Sequence, residues 1–208
     1  MSTPSHHLIL GGQRSGKSRH AERLARAWLQ RAPGQGVTVV ATAVAADEEM
    51  RQRIARHRQD RPEGFDVVEA PQDLGGALRA LSHPQRLVVV DCLTLWVTNL
   101  WMPVAPAATS DQNADDADQD ADHDARHEPT DAAWARHRQA FLQAVAAHAG
   151  PLVLVSNEIG MGVIPLGDGV RRVVDELGRL HQDVAQRCGH ITLMAAGQPF
   201  TQQVQRWD

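Results

Sequence analysis

The sequence predicts an α/β fold: an open, mostly parallel sheet with helices on both faces. Three observations carry the prediction. Short apolar runs alternate with helical periodicities along the 208 residues, the pattern of consecutive βαβ units. No internal repeat replaces that pattern with a stacked array. The stretch GGQRSGKS, residues 11–18, sits between an apolar run and a helix and fits G-x-x-x-x-G-K-S/T without substitution.

The first strand is read at Leu8–Leu10, a short apolar run. The helix after the glycine-rich loop is read over 17–31, with Ala21, Leu24, Ala25, Trp28 and Leu29 on one face. Further strands are expected at Val37–Ala41, Leu87–Val90, Leu152–Val155 and Ile191–Met194, and a weaker one at Val67–Glu69. Helical spacing fills 47–59, 73–81, 93–102, 131–149 and 169–188. Ligands of such sheets bind at the carboxyl ends of the strands, where the loops gather.

Strand, glycine-rich loop and helix together form a phosphate cradle, so the fold is P-loop NTPase-like. Gly11, Gly12 and Gly16 let backbone N–H groups turn inward around phosphate oxygens. The helix N-terminus adds about half a positive charge. Lys17 is placed to reach the β and γ phosphates and the Ser18 hydroxyl to ligate Mg²⁺. The strand 87–90 ends in Asp91, which reads as a partner for Mg²⁺ or nucleotide, or as the cap of the next helix. The strand 152–155 runs into Ser156-Asn157-Glu158 and a loop shaped by Gly160, Gly162 and Pro165. Glu158 there could accept a proton from a hydroxyl, hold a metal, or be a solvated loop acid.

Composition narrows the classes. The chain suits a single nucleotide-binding domain over 1–208, with 42% apolar residues and no run long enough to span a bilayer. MSTPSHHLIL has no signal-peptide character, and Cys92 and Cys188 show no metal-ligand spacing, so a cytoplasmic location is expected. The net charge is −4, yet residues 103–130 alone hold seven Asp, one Glu and one Arg. The remainder is mildly basic, which suits a polyphosphate ligand and is too weak for nucleic acid. The acidic stretch has no aliphatic residue larger than Val104 and reads as a flexible insertion.

In the helix 47–59, Met50, Ile54 and His57 share one stripe, and Arg56 and Arg58 flank the imidazole. Two nearby cations favour its neutral form, which is a competent nucleophile toward phosphorus. Spacing alone also fits an ordinary core histidine.

Four blocks, LILGGQRSGKSRHAERLA, VVATAVAADEEMRQRIARHRQDRP, VVVDCLTLWVTNL and LVLVSNEIGMGVIP, in this order resemble one family. It is the bifunctional adenosylcobinamide kinase / adenosylcobinamide-phosphate guanylyltransferase family of cobalamin biosynthesis. The likeness runs from Leu8 to about Ala196, and the second and fourth blocks are its specific part.

The resemblance implies phosphorylation of adenosylcobinamide by ATP or GTP. Transfer of GMP from GTP follows, through a guanylylated histidine, giving adenosylcobinamide-GDP and pyrophosphate. His57 stands where the family has its nucleophile, with Lys17 as the catalytic lysine of the phosphate loop. Nucleotide contacts map onto Gly11, Gly12, Gln13, Arg14, Ser15, Gly16, Lys17 and Ser18, and onto Ala41, Thr42 and Ala43. They continue through Arg58, Gln59, Asp60 and Arg61 to Glu69 and Asp91. A homotrimer is implied, compatible with the almost wholly apolar segment 93–101. The acidic insertion is longer than the family pattern calls for but touches no motif residue. The alternatives are a plain P-loop small-molecule kinase, indifferent to His57, and a nucleotide-dependent binding module. The absence of an N-K-x-D guanine-reading element speaks against a GTPase switch.

Overall fold

The computed structural model describes residues 6–44, 64–103 and 131–204. Along the chain run β1 (His7–Gly11), α1 (Lys17–Leu29), β2 (Gly36–Ala41), β3 (Phe65–Glu69), α2 (Leu74–Ala80) and β4 (Arg86–Asp91). They are followed by α3 (Leu93–Trp101), α4 (Asp131–Ala147), β5 (Leu152–Val155), α5 (Asp168–Ala185), β6 (His190–Ala195) and β7 (Gln198–Gln203). The expected helix 47–59, with Met50, Ile54 and His57, lies outside the described residues, as does the acidic stretch from Val104 to Thr130.

The strands form one seven-stranded sheet in the order β3-β2-β4-β5-β1-β6-β7. All neighbours pair in parallel except β6 and β7. The inner strands β1, β2, β4 and β5 read as apolar runs because both faces are covered, whereas β3, at the sheet edge, is largely exposed. Alternation assigns each residue its side. Leu8, Val40, Val88, Val90, Leu152 and Leu154 face a large core shared with α2, α3, α4 and α5. Ile9, Val37, Val39, Leu87, Val89, Val153 and Val155 face a smaller core under α1.

An aromatic cluster joins the helices of the larger layer. Trp96 packs on Trp134 and on Phe141, with ring centroids 5.6 and 5.0 Å apart. Trp101 lies 6.2 Å from Trp134. The Arg172 guanidinium stacks over Trp101 at 4.5 Å and also pairs with Asp131. The Trp134 indole N–H donates to Glu176 Oε2 at 2.6 Å. Trp101 and Asp131, which flank the acidic stretch, are thereby both tied to α5.

β7 is the one described strand that sequence patterning did not give. QPFTQQ holds a proline and a single large apolar residue, and all six residues are exposed. Such an edge strand buries no face, so it carries no alternation to read. It is joined to β6 by Ala196-Gly197, with φ of 49° and 78°, the two positive values of a type I′ hairpin.

Candidate nucleotide-binding site

The loop between β1 and α1 is held in an anion-cradling shape by its own backbone. Gly11 has φ 152°, and a Cβ there would lie 2.5 Å from the Met194 carbonyl oxygen and 2.7 Å from Ser15 Oγ. Gly16 has φ 100° and Arg14 φ 56°, so the chain turns twice through left-handed space. Three hydrogen bonds brace the loop: Ser15 N to Gly12 O (3.3 Å), Glu158 N to Gly11 O (3.0 Å) and Gly197 N to Ser15 O (3.1 Å). The β6–β7 turn is thus a buttress of the phosphate loop, which gives the edge hairpin a purpose.

No side chain caps the N-terminus of α1, and its first turn holds no acid. Its leading N–H groups are therefore suited to an external anion. Lys17 is buried, with Nζ donating to Gly12 O at 2.6 Å. The ammonium is thereby held across the loop's mouth. Ser18 Oγ donates to Asp91 Oδ2 at 3.1 Å. The two side chains assigned to Mg²⁺ from the sequence are thus adjacent.

The sheet register gathers the remaining positions. Ala41 pairs with both Glu69 and Asp91, and Asp91 pairs with Val155. These residues form one row at the carboxyl edge, beside the loop that follows Gly11. Between α1 and this edge lies a small cleft lined by Ser18, Ala21, Glu22, Val39, Phe65, Val89 and Asp91. It offers an apolar floor and an acidic, hydroxylic rim.

Thr42 is fully buried, and its hydroxyl is used within the protein. Oγ1 donates to Cys92 O at 2.7 Å and accepts from Cys92 N at 2.9 Å. Asn99 Nδ2 donates to the Thr42 carbonyl at 2.7 Å. This side chain fixes the turn after Asp91, and its hydroxyl is taken up within the protein, whereas Ala41 and Ala43 are half-buried. Glu69 is exposed at the end of β3. His57, Arg58, Gln59, Asp60 and Arg61 lie outside the described residues.

Ser18 and Asp91 supply hard oxygen donors, the type Mg²⁺ takes. Among the described residues no group of three or more His, Cys, Asp or Glu is arranged to hold a metal. A cation here would therefore complete its shell with nucleotide phosphates and water, the usual habit of Mg²⁺. Burial pushes the Cys92 thiol up to about 11 and the Cys188 thiol up to about 12, so neither is a ready ligand or nucleophile.

Glu158, singled out from the sequence, belongs to a second polar group beside the loop, whose members His181 and Thr94 sequence patterning missed. At the end of β5, Ser156 Oγ lies 2.8 Å from His181 Nε2 and 3.0 Å from Thr94 Oγ1, and His181 Nδ1 lies 3.5 Å from Glu158 Oε2. The available signal was faint: His181 falls on the apolar stripe of α5 with Val173, Leu177, Leu180 and Val184.

A glycine-rich loop on a parallel strand, an uncapped helix behind it, and a hydroxyl–carboxylate pair at the neighbouring strand end define a P-loop nucleotide-binding protein. Comparison with known proteins narrows this. The family model described as cobinamide kinase / cobinamide phosphate guanyltransferase matches residues 7–202, and the chain belongs to that family. It is 43% identical over 193 residues to the bifunctional adenosylcobalamin biosynthesis protein CobP of Pseudomonas aeruginosa, covering 93% of this chain and 94% of that one. It is 34% identical over 190 residues to the bifunctional adenosylcobalamin biosynthesis protein CobU of Escherichia coli, covering 91% and 95%. Identity to its counterpart in Salmonella typhimurium is 30% over 190 residues, with the same coverage. Among the described residues no helix is long and apolar enough to cross a membrane.

Proposed function

We propose that this chain carries both activities of its family on one phosphate loop. It transfers the γ-phosphate of ATP or GTP to the free hydroxyl of adenosylcobinamide. It then transfers GMP from GTP to the resulting phosphate. The observation that carries the reading is the Ser18–Asp91 pair, 3.1 Å apart beside Lys17 and the uncapped start of α1.

In the first reaction the substrate hydroxyl attacks the γ-phosphorus and the nucleoside diphosphate leaves. The α1 N-terminus and the Lys17 ammonium stabilise charge on the transferred group and the leaving oxygen. Ser18 and Asp91 would hold Mg²⁺, which when bound would supply charge neutralisation to the nucleotide phosphates. In the second reaction His57 attacks the α-phosphorus of GTP and pyrophosphate leaves. The substrate phosphate then displaces His57, which splits one displacement into two in-line steps. Arg58 and Arg61 are suited to neutralising the pyrophosphate. Glu69 and Asp91 are assigned to the nucleotide by the family resemblance; their place on one register row at the carboxyl edge of the sheet, either side of Ala41, supports that assignment. A homotrimer and a cytoplasmic setting are part of the same proposal, supported by family resemblance.

The test is product formation. Adenosylcobinamide, Mg²⁺ and GTP incubated with the protein should give the phosphate and then the GDP ester by mass spectrometry. Accumulation of the phosphate alone, with excess GTP, would reduce the chain to a kinase. No phosphate at all would overturn the reading.

A further inference from the structure

Glu158 hangs beside the phosphate loop, because its own N–H donates to the Gly11 carbonyl at 3.0 Å. Each of its carboxylate oxygens faces one donor. Gly160 N–H donates to Oε1 at 3.1 Å, and His181 Nδ1 lies 3.5 Å from Oε2. The second contact is an ion-pair distance, a few tenths of an ångström longer than a hydrogen bond. Nδ1 has no hydrogen-bond partner and is buried, so Glu158 is the acceptor open to it.

The protons along the group can be assigned from its ends. The end at Glu158 sets the direction: the buried Nδ1 faces a carboxylate and so takes the ring proton, which leaves Nε2 to accept; at the other end Asn157 N–H donates to Thr94 Oγ1 at 2.7 Å, and the Thr94 hydroxyl is free to donate onward to Ser156 Oγ at 3.0 Å. The Ser156 hydroxyl then donates to His181 Nε2 at 2.8 Å. A neutral imidazole with Nε2 accepting carries its proton on Nδ1, toward Glu158. Burial lowers the pKa of His181, opposed by Glu158, and so favours this neutral form. Ser156 is fully buried and Thr94 and His181 nearly so, which excludes them from meeting substrate. Glu158 is the most exposed member of the chain, with 21% of its side chain accessible.

We propose that Glu158 is the base that accepts the proton of the substrate hydroxyl during γ-phosphoryl transfer, and that His181 positions it through the Thr94–Ser156–His181 chain. The inference rests on the kinase reading above. In the step, the hydroxyl oxygen bonds to the γ-phosphorus as the bond to the β-phosphate oxygen breaks. The electron pair stays on the nucleoside diphosphate and the hydroxyl proton passes to the Glu158 carboxylate. His181 keeps its Nδ1 proton throughout, so it acts on geometry and not as a relay. The chain starts in the first turn of α3, three residues after Asp91, so the metal-side acid and the base are set from one helix start.

Glu158→Gln should lower kcat for phosphate transfer to adenosylcobinamide by about 10²–10⁴-fold, while GTP affinity and melting temperature stay near wild type. Glu158→Ala should behave alike and regain rate with added formate. His181→Asn puts an amide nitrogen near the place of Nδ1, whereas His181→Gln puts it near Nε2. The Asn variant should therefore be faster than the Gln variant by about tenfold or more, with KM for adenosylcobinamide little changed. A Glu158→Gln rate within about threefold of wild type would overturn the base, as would joint loss of rate and GTP binding or a lack of formate rescue. Equal rates for the two His181 variants would overturn the positioning role. Failure of the wild-type protein to phosphorylate adenosylcobinamide would instead overturn the kinase reading itself.

Discussion

Single residues in left-handed backbone sort by what surrounds them. Gly11 has no room for a Cβ, and the glycine is required by contact with Met194 and Ser15 as much as by φ. Ala196 holds φ 49° in the β6–β7 turn with its side chain exposed. Left-handed backbone costs an L-residue about 1–2 kcal/mol, and asparagine tolerates it best after glycine. Ala196→Asn is therefore expected to stabilise the protein by about 0.5–1 kcal/mol, read as a higher urea midpoint at constant slope. A lower midpoint would mean that the turn does not hold the hairpin in this form. The loop 11–18 was legible at this scale because its residues are dictated by local backbone needs. The Thr42 hydroxyl was not, since its partners on Cys92 lie 50 positions away and no local pattern announces them.

At the scale of elements, two helical glycines lead to opposite expectations. A Cβ on Gly75 in α2 would lie 2.9 Å from Ala140 C and 3.0 Å from Phe141 N, so the backbones of α2 and α4 touch there. A Cβ on Gly178 in α5 meets nothing within 4 Å. Gly178→Ala should raise stability by up to about 1 kcal/mol through helix propensity. Gly75→Ala should lower it by about 1–3 kcal/mol, because α4 must move. Thermal melts of both variants check the pair, and equal signs would contradict the packing. The inner parallel strands and the five described helices were readable because each buries apolar residues in its own pattern, and β3 was only a weak reading because it is largely exposed. β7 was not, as an exposed polar edge has no face to declare. The Glu158–His181 group was partly legible: Glu158 stood out in its loop, whereas His181 sat on an apolar stripe where a histidine reads as core.

At the scale of the whole molecule, buried and half-buried histidines among the described residues contribute to the response to acid. Burial lowers His6 and His7 to about 4, the second with help from His190 and His20, and it also lowers His20, His148 and His181. His6 shows the cost: Nε2 donates to Val145 O at 3.0 Å and Nδ1 accepts from Leu152 N at 3.2 Å, so a second ring proton has no place. A folded-state pKa below the unfolded value of about 6.5 favours the neutral form on folding. This contribution is fully present above pH 6.5 and is lost as pH falls toward 4. His6 alone accounts for up to about 3 kcal/mol across that window. The urea midpoint should fall steadily from pH 6.5 to pH 4.5, and a flat profile would show that these rings can take protons in place.

The central claim is that the phosphate loop which serves phosphoryl transfer also presents GTP to His57 for guanylyl transfer. The most direct measurement uses GTP labelled at the α-phosphate, incubated with Mg²⁺ and the protein, then denatured. Label should be retained on the wild-type protein, lost in acid, stable in base and absent from His57→Ala. An unlabelled wild-type protein that still phosphorylates adenosylcobinamide would contradict the claim, as would acid-stable label or label that persists in His57→Ala.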